Sequence, residues 1–171
     1  MRNRLLALGF ASVLGVVAII GLRAESSAGG TTFGNTSLNG SYGFHDEGSG
    51  NVTISGTPVD EAFDQVGVAS YDGKGGIRAS STITYRFPFS NEPGFVCKVK
   101  YKGTYSVNPD GSGTTSQHGT ITSGPCPDVD VTSAFALSNG GNKISYVVTS
   151  AESTPTNVVN NLVDAGEATA Q

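Results

Sequence analysis

From Phe95 to Thr114 the chain reads FVCKVKYKGTYSVNPDGSGT. Cys97, Val99, Tyr101, Gly103, Tyr105 and Val107 fall on one parity, and Lys98, Lys100, Lys102, Thr104 and Ser106 on the other. Strict alternation from Cys97 to Val107 describes a strand with one face on an apolar interior and one in solvent. A helix, with its period of about 3.6 residues, would scatter the lysines around its whole circumference. The run stops at Asn108-Pro109-Asp110-Gly111, a turn by chemistry: Pro presets φ, Asp bonds its own backbone, and Gly accepts φ > 0.

The same alternation recurs along the chain. In Ile77–Phe87, the residues Ile77, Ala79, Ser81, Ile83, Tyr85 and Phe87 alternate with Arg78, Ser80, Thr82, Thr84 and Arg86. Leu38, Gly40, Tyr42 and Phe44 share a face in Ser37–His45. Val129, Val131, Ser133, Phe135 and Leu137 do so in Val129–Leu137, and Ile144, Tyr146 and Val148 in Lys143–Ser150. The polar stretch Gly113–Ser123 returns from the Asp110-Gly111 turn. Asp72-Gly73 joins Gln65–Tyr71 to Ile77–Phe87 as a second hairpin. Gly48-Ser49-Gly50 reads as a loop, followed by a short strand, Asn51–Ser55, that Gly56-Thr57-Pro58 ends. Val59–Asp64 fits either a short helical turn or an irregular loop. Thr156–Val163 suits a short helix or a strand, and Gly166–Ala170 a closing strand.

Glycine supplies 24 of 171 residues, about twice its usual share, and charged residues are only 14%. Short strands in sequence order, joined by glycine-rich turns, predict an all-β fold. Such strands must cover one apolar face and dispose of their edges, and an antiparallel up-and-down barrel of about eight strands does both. A two-sheet β-sandwich is the alternative. An eight-stranded interior is either filled by side chains or holds one small ligand.

Ahead of this domain, Arg2 and Arg4 precede the uncharged run Leu5–Leu22. Basic residues, then an apolar run, then small residues at Leu22-Arg23-Ala24 or Ser26-Ser27-Ala28 describe an export signal. The run is also just long enough to span a bilayer, so an uncleaved anchor through residues 5–22 is the rival. The expected organisation is a signal over 1–24, a flexible linker over 25–36 and a single β-barrel domain over 37–171, in a periplasmic or secreted protein. Membrane contact follows only if the N-terminal segment stays uncleaved. Cutting after Ala24 removes three of ten basic residues and none of fourteen acidic ones, leaving about −7. A nucleic-acid partner, which needs a basic footprint, is excluded on that balance. Cys97 and Cys126 are the only cysteines, and in an exported chain an even count predicts a disulfide. Closing that loop of about 30 residues stabilises the fold by roughly 3.5 kcal/mol in the chain-entropy treatment.

Leu38-Asn39-Gly40-Ser41-Tyr42-Gly43-Phe44 resembles the opening of a group of exported bacterial β-barrel proteins, mostly uncharacterised. Gly103-Thr104-Tyr105-Ser106-Val107-Asn108-Pro109-Asp110-Gly111-Ser112-Gly113-Thr114 resembles their central hairpin. Leu137-Ser138-Asn139-Gly140-Gly141 and the glycine-containing C-terminus are similar too. The resemblance spans roughly Leu38 to the end and implies a small barrel like those of lipocalins or allene oxide cyclase. It implies no activity and carries over no catalytic residue.

Few residues announce chemistry. His45-Asp46-Glu47 sets an imidazole beside two carboxylates, and His118 is the only other histidine. Were their strands to meet, they could share a metal or a proton, but neighbours on a strand point to opposite faces. Asp72-Gly73-Lys74-Gly75 and Asp110-Gly111-Ser112-Gly113 lack the spacing of a calcium loop and open no helix, so they read as hairpin turns. No Gly-x-Ser-x-Gly elbow occurs. Lys98, Lys100 and Lys102 form a positive row suited to an anionic surface or, more simply, to a solvated face. The inward aromatics Tyr42, Phe44, Tyr85, Phe87, Tyr101, Tyr105, Phe135 and Tyr146 are the candidate ligand-binding set, or else a filled core. No catalytic residue, metal site or cofactor is assigned. The sequence thus points to an exported non-enzymatic barrel that binds a small apolar or amphipathic molecule. A structural or surface-interaction module with a filled core is the alternative, and an enzyme of unassigned reaction the third.

Overall fold

A computed structural model describes residues 32–54, 57–89, 91, 93–154 and 163–171. The expected signal over 1–24 and most of Thr156–Val163 lie outside the described residues. Eight strands close into a barrel: β1 Asn39–Ile54, β2 Thr57–Asp72, β3 Gly76–Arg86, β4 Phe95–Val107, β5 Ser112–Ser123, β6 Asp128–Ser138, β7 Lys143–Thr154 and β8 Val163–Ala170. Every neighbouring pair is antiparallel, and from β1 to β8 neighbours are consecutive in sequence. β8 returns to β1 from Tyr42↔Ala170 to Ser49↔Val163. The circle of paired strands closes, so the fold is the up-and-down barrel and not the two-sheet sandwich.

The alternation in β4 holds throughout. Cys97, Val99 and Tyr105 are buried, Tyr101, Gly103 and Val107 are half-buried, and the three lysines are exposed. Two expectations change. β1 does not break at Gly48-Ser49-Gly50, and Val59–Asp64 is neither helical turn nor loop but the first half of β2. Both have one cause. Gly48 is paired with Phe63, and the Phe63 ring lies where a Gly48 side chain would stand. The aromatic fills the gap, so the strand continues through its glycine. Pro58 lies near the start of β2, where the ladder tolerates a missing N–H. In β7 the pairing shifts by one residue opposite Thr132/Ser133. That bulge reverses the parity, and Ala151 and Ser153 become the buried residues of its second half.

Apolar residues gather at two levels. Leu38, Tyr42, Tyr71, Ile77, Tyr105 and Ile144 pack at the end that carries the β2–β3, β4–β5 and β6–β7 turns. Phe63, Ile83 and Val99, with Tyr85, Tyr101 and Ile121, form the other cluster. Of the segment expected as a linker, residues 32–36 are described, and they cap the first end. Phe33 N–H donates to the Pro109 carbonyl at 3.2 Å, and Asn35 Oδ1 accepts from Val107 N–H at 2.9 Å. Cys97 on β4 is bonded to Cys126 in the β5–β6 loop, with Cα atoms 6.2 Å apart. None of the described helices is long and apolar enough to cross a membrane.

Candidate functional site

The eight aromatics expected to face inward divide by height in the barrel. Tyr42 and Tyr105 belong to the capped end. The Tyr42 hydroxyl donates to the Gly141 carbonyl at 2.9 Å, and the Tyr105 hydroxyl lies 3.0 and 2.9 Å from the Asn35 and Leu38 carbonyls. Tyr71 stands between them, edge to face with each at 5.3 and 5.1 Å. Tyr85 and Phe87 belong to the opposite end, each packed at a tilt against Phe95 with ring centroids 5.0 and 5.6 Å apart. Phe44, Tyr101, Phe135 and Tyr146 lie between and wall a cavity of about 80 Å³ inside the barrel.

That cavity is not simply apolar. Asp46, Gln65, Thr115, Gln117, Ser133 and Asp164 line it too. Asp46 comes from β1 and Asp164 from β8, and the register explains why they meet. Asp46 is opposite Gly166, two residues beyond Asp164, and Tyr146 is opposite Gly166 from the other side. A side chain on Gly166 would come within 2.6 Å of the Tyr146 hydroxyl and 2.5 Å of Asp46 Cβ. The glycine therefore lets Tyr146 reach across β8 to hydrogen-bond Asp46. On the other wall Gln65 Nε2 donates to Ser81 Oγ at 2.9 Å and lies 3.5 Å from the Tyr101 hydroxyl.

Both carboxyls are almost fully buried, Asp46 at 5% and Asp164 at 6% exposure. Among the described residues, Oδ1 of each has no hydrogen-bond partner. Burial pushes the Asp46 carboxyl up to about 8; the neighbouring Asp164 charge adds to this and the Tyr146 bond opposes it. Burial likewise raises Asp164, to about 6, against the pull of its hydrogen bond with Asp46. Because each carboxyl acts on the other, they titrate as a pair. Glu61, on β2 toward the Tyr85 end, is raised by burial as well. Burial pushes the Tyr101 hydroxyl to about 12, with Gln65 drawing it back.

The remaining candidates lie outside the barrel wall. His45 and Glu47 are exposed on β1 and approach Asp64 on β2, the ligand atoms all within 4.8 Å of one another. Asp64 is already engaged in an ion pair with Arg86. His118 sits on the outer face of β5, Nδ1 2.7 Å from Asp130 Oδ1. β1 borders β2 and β8, whereas β5 borders β4 and β6, so the two histidines are not brought together. The Asp-Gly motifs are turns: Asp72 accepts from the Lys74 and Gly76 N–H groups at 2.8 Å, and Asp110 from Ser112 N–H at 2.9 Å. Lys98, Lys100 and Lys102 are exposed in a row, with Arg78 directly across from Lys102.

No protein-family model matches the sequence, and no curated protein matches it. Any functional reading rests on the interior geometry. Of the eight aromatics expected from the sequence, Phe44, Tyr101, Phe135 and Tyr146 line the cavity and the other four do not, while Tyr71, Asp46 and Asp164, which also line it, were not in that set.

Proposed function

We propose that the chain is a non-enzymatic binding barrel that holds one small amphipathic molecule in its interior, outside the cytoplasm. The observation that carries this reading is a cavity lined both by aromatic side chains and by two buried carboxyls, one oxygen of each without a partner. A wholly apolar guest would leave those carboxyls desolvated against hydrocarbon, which costs several kcal/mol. A guest with one polar end matches both kinds of lining. The cavity, at about 80 Å³, has room for roughly three waters at the ~30 Å³ that each takes up in the liquid. It is well below the ~300 Å³ of sites that take drug-sized ligands. The guest is therefore a molecule of a few heavy atoms.

Coupled carboxyls also serve acid–base catalysis. Both imidazoles sit on the outer surface, away from the cavity. The alternative of a surface module with a filled core draws on the exposed lysine row and on the small interior. An extracytoplasmic location is supported by the Cys97–Cys126 bond, which persists in oxidising compartments, and by the N-terminal apolar run. Native mass spectrometry of the protein taken from its own host tests the reading. A small co-purified mass is expected, lost on unfolding and absent from an Ala69→Leu variant that fills the cavity. A bare chain mass under gentle conditions, with Ala69→Leu indistinguishable from the parent, counts against it.

A further inference from the structure

The charges of this barrel are segregated. Asp46, Glu61 and Asp164 are buried inside it. No described lysine, arginine or histidine is buried: eight are exposed, and the half-buried Lys143 pairs with Glu167 at 2.8 Å. A buried acid is ordinarily offset by a buried base, because an uncompensated buried charge is strongly destabilising. Here the compensating positive charge is not supplied by the described part of the chain.

We propose that the cavity takes a small organic cation, its ammonium group held by the Asp46 and Asp164 carboxylates and its hydrocarbon part against Phe44, Tyr101, Phe135 and Tyr146. This rests on the interior-binding reading and names the ligand class for it. An ammonium group brings three N–H donors, and each of the two carboxyls of the cavity lining has one oxygen with no donor. Aromatic faces attract cations, and a site screened from water strengthens that attraction. An anion would meet two carboxyls, and a neutral alcohol could satisfy one oxygen but not the charge. A divalent metal is disfavoured by ligand number. Calcium takes six to eight oxygens, and the one described cluster of three acidic or imidazole ligands lies on the outer face, at His45, Glu47 and Asp64.

Isothermal titration calorimetry on the full chain, refolded from denaturant to strip any guest, tests the class. The probes are n-butylammonium, its neutral isostere butan-1-ol, and calcium and magnesium ions. n-Butylammonium is expected to bind, with butan-1-ol weaker by roughly ten- to a hundredfold, the range of a charge-assisted hydrogen bond. Asp46→Asn and Asp164→Asn are each expected to weaken the ammonium at least tenfold, while Lys100→Ala on the outer face leaves it unchanged. Should one Asn variant not fold, the other and Ala69→Leu supply the same readout. Equal affinity for butanol and butylammonium overturns the cation and leaves interior binding standing. Ammonium binding untouched by both Asn substitutions, or divalent ions binding where the ammonium does not, also overturns it. So does silence from every probe, in which case a co-purified neutral mass would still uphold the binding reading.

Discussion

The buried carboxyl pair makes the empty barrel less stable as pH rises. The folded chain keeps a proton on Asp46 that the unfolded chain releases near the ordinary carboxylate value. Between those points the folded state binds more protons, so stability falls with increasing pH. Asp46 is raised from 3.8 to about 8, and each unit is worth about 1.4 kcal/mol, so the loss from about pH 4 to pH 8 is on the order of 5 kcal/mol. For a domain of this size, at roughly 3 °C per kcal/mol, the midpoint drops by roughly 15 °C. Of the groups facing Asp46, the Asp164 charge from β8 adds to the rise and the hydrogen bond from Tyr146 on β7 opposes it, so burial sets the direction; Glu61 and Gln65 from β2, Tyr85 from β3 and Tyr101 from β4 bring no positive charge. Asp72 and Asp110 work the other way. Backbone N–H groups hold Asp72 low, and the Ser112 hydroxyl and N–H hold Asp110 low, so their contribution fades only as pH falls through the lowered values. The optimum therefore lies near pH 4 to 5. Thermal melts by circular dichroism, at constant ionic strength and on refolded protein, follow the effect. Asp46→Asn is expected to melt higher than the parent above pH 7 and to flatten the decline. A parent midpoint that holds steady or climbs from pH 5 to 8, or an Asp46→Asn chain less stable at pH 7.5, would show the carboxylate ionised and well paired, and would refute the reasoning.

Three further outcomes are expected in denaturant titrations. Tyr105→Phe removes the hydroxyl that serves the Asn35 and Leu38 carbonyls at the capped end, and should cost about 1–2 kcal/mol. Gly113→Ala drives a methyl into the Phe135 ring and the Ser106 carbonyl and should cost about 1–3 kcal/mol, whereas Gly34→Ala, with open space around it, should stay within about 0.5 kcal/mol. Replacing Cys97 and Cys126 together by Ser should lose up to roughly 3.5 kcal/mol, less if the unfolded chain is already compact. An unchanged midpoint there would mean that the bond constrains little.

The barrel was legible because each strand carries its own parity and each turn its own chemistry. Lys98 to Lys102 set the outward face of β4, and Asp110-Gly111 sets the direction in which β5 returns. Neither needs knowledge of the other strands. What was not legible depends on pairing. Gly48 looks like a strand breaker until Phe63 is placed beside it, and Phe63 looks like part of a helical turn until Gly48 is. Phe44 with Gly67, Tyr101 with Gly119 and Phe135 with Gly113 repeat the arrangement. The high glycine content is therefore not all turn chemistry. Part of it makes room inside a narrow barrel, where two large residues cannot face each other across neighbouring strands.

The acidic lining of the cavity had a signal of its own. Asp46 shares the parity of Tyr42 and Phe44, Glu61 that of Phe63, and Asp164 that of Gly166 and Ala168. Parity alone therefore aims three carboxylates at the interior. Treating Gly48-Ser49-Gly50 as the end of the strand moved Asp46 into a solvated loop and hid this. A carboxylate on the apolar parity of a strand is costly to bury and gains nothing for a filled core. Had the barrel needed only a packed interior, a small apolar residue at position 46 would have served it better. Tyr146 reaches over a glycine to bond Asp46, so neighbouring strands are shaped around the acid and the residue is not a surface group caught by chance. That accommodation favours a binding role over a purely structural one, and it makes the pH dependence of the empty barrel and its affinity for an ammonium ion two consequences of the same buried charge.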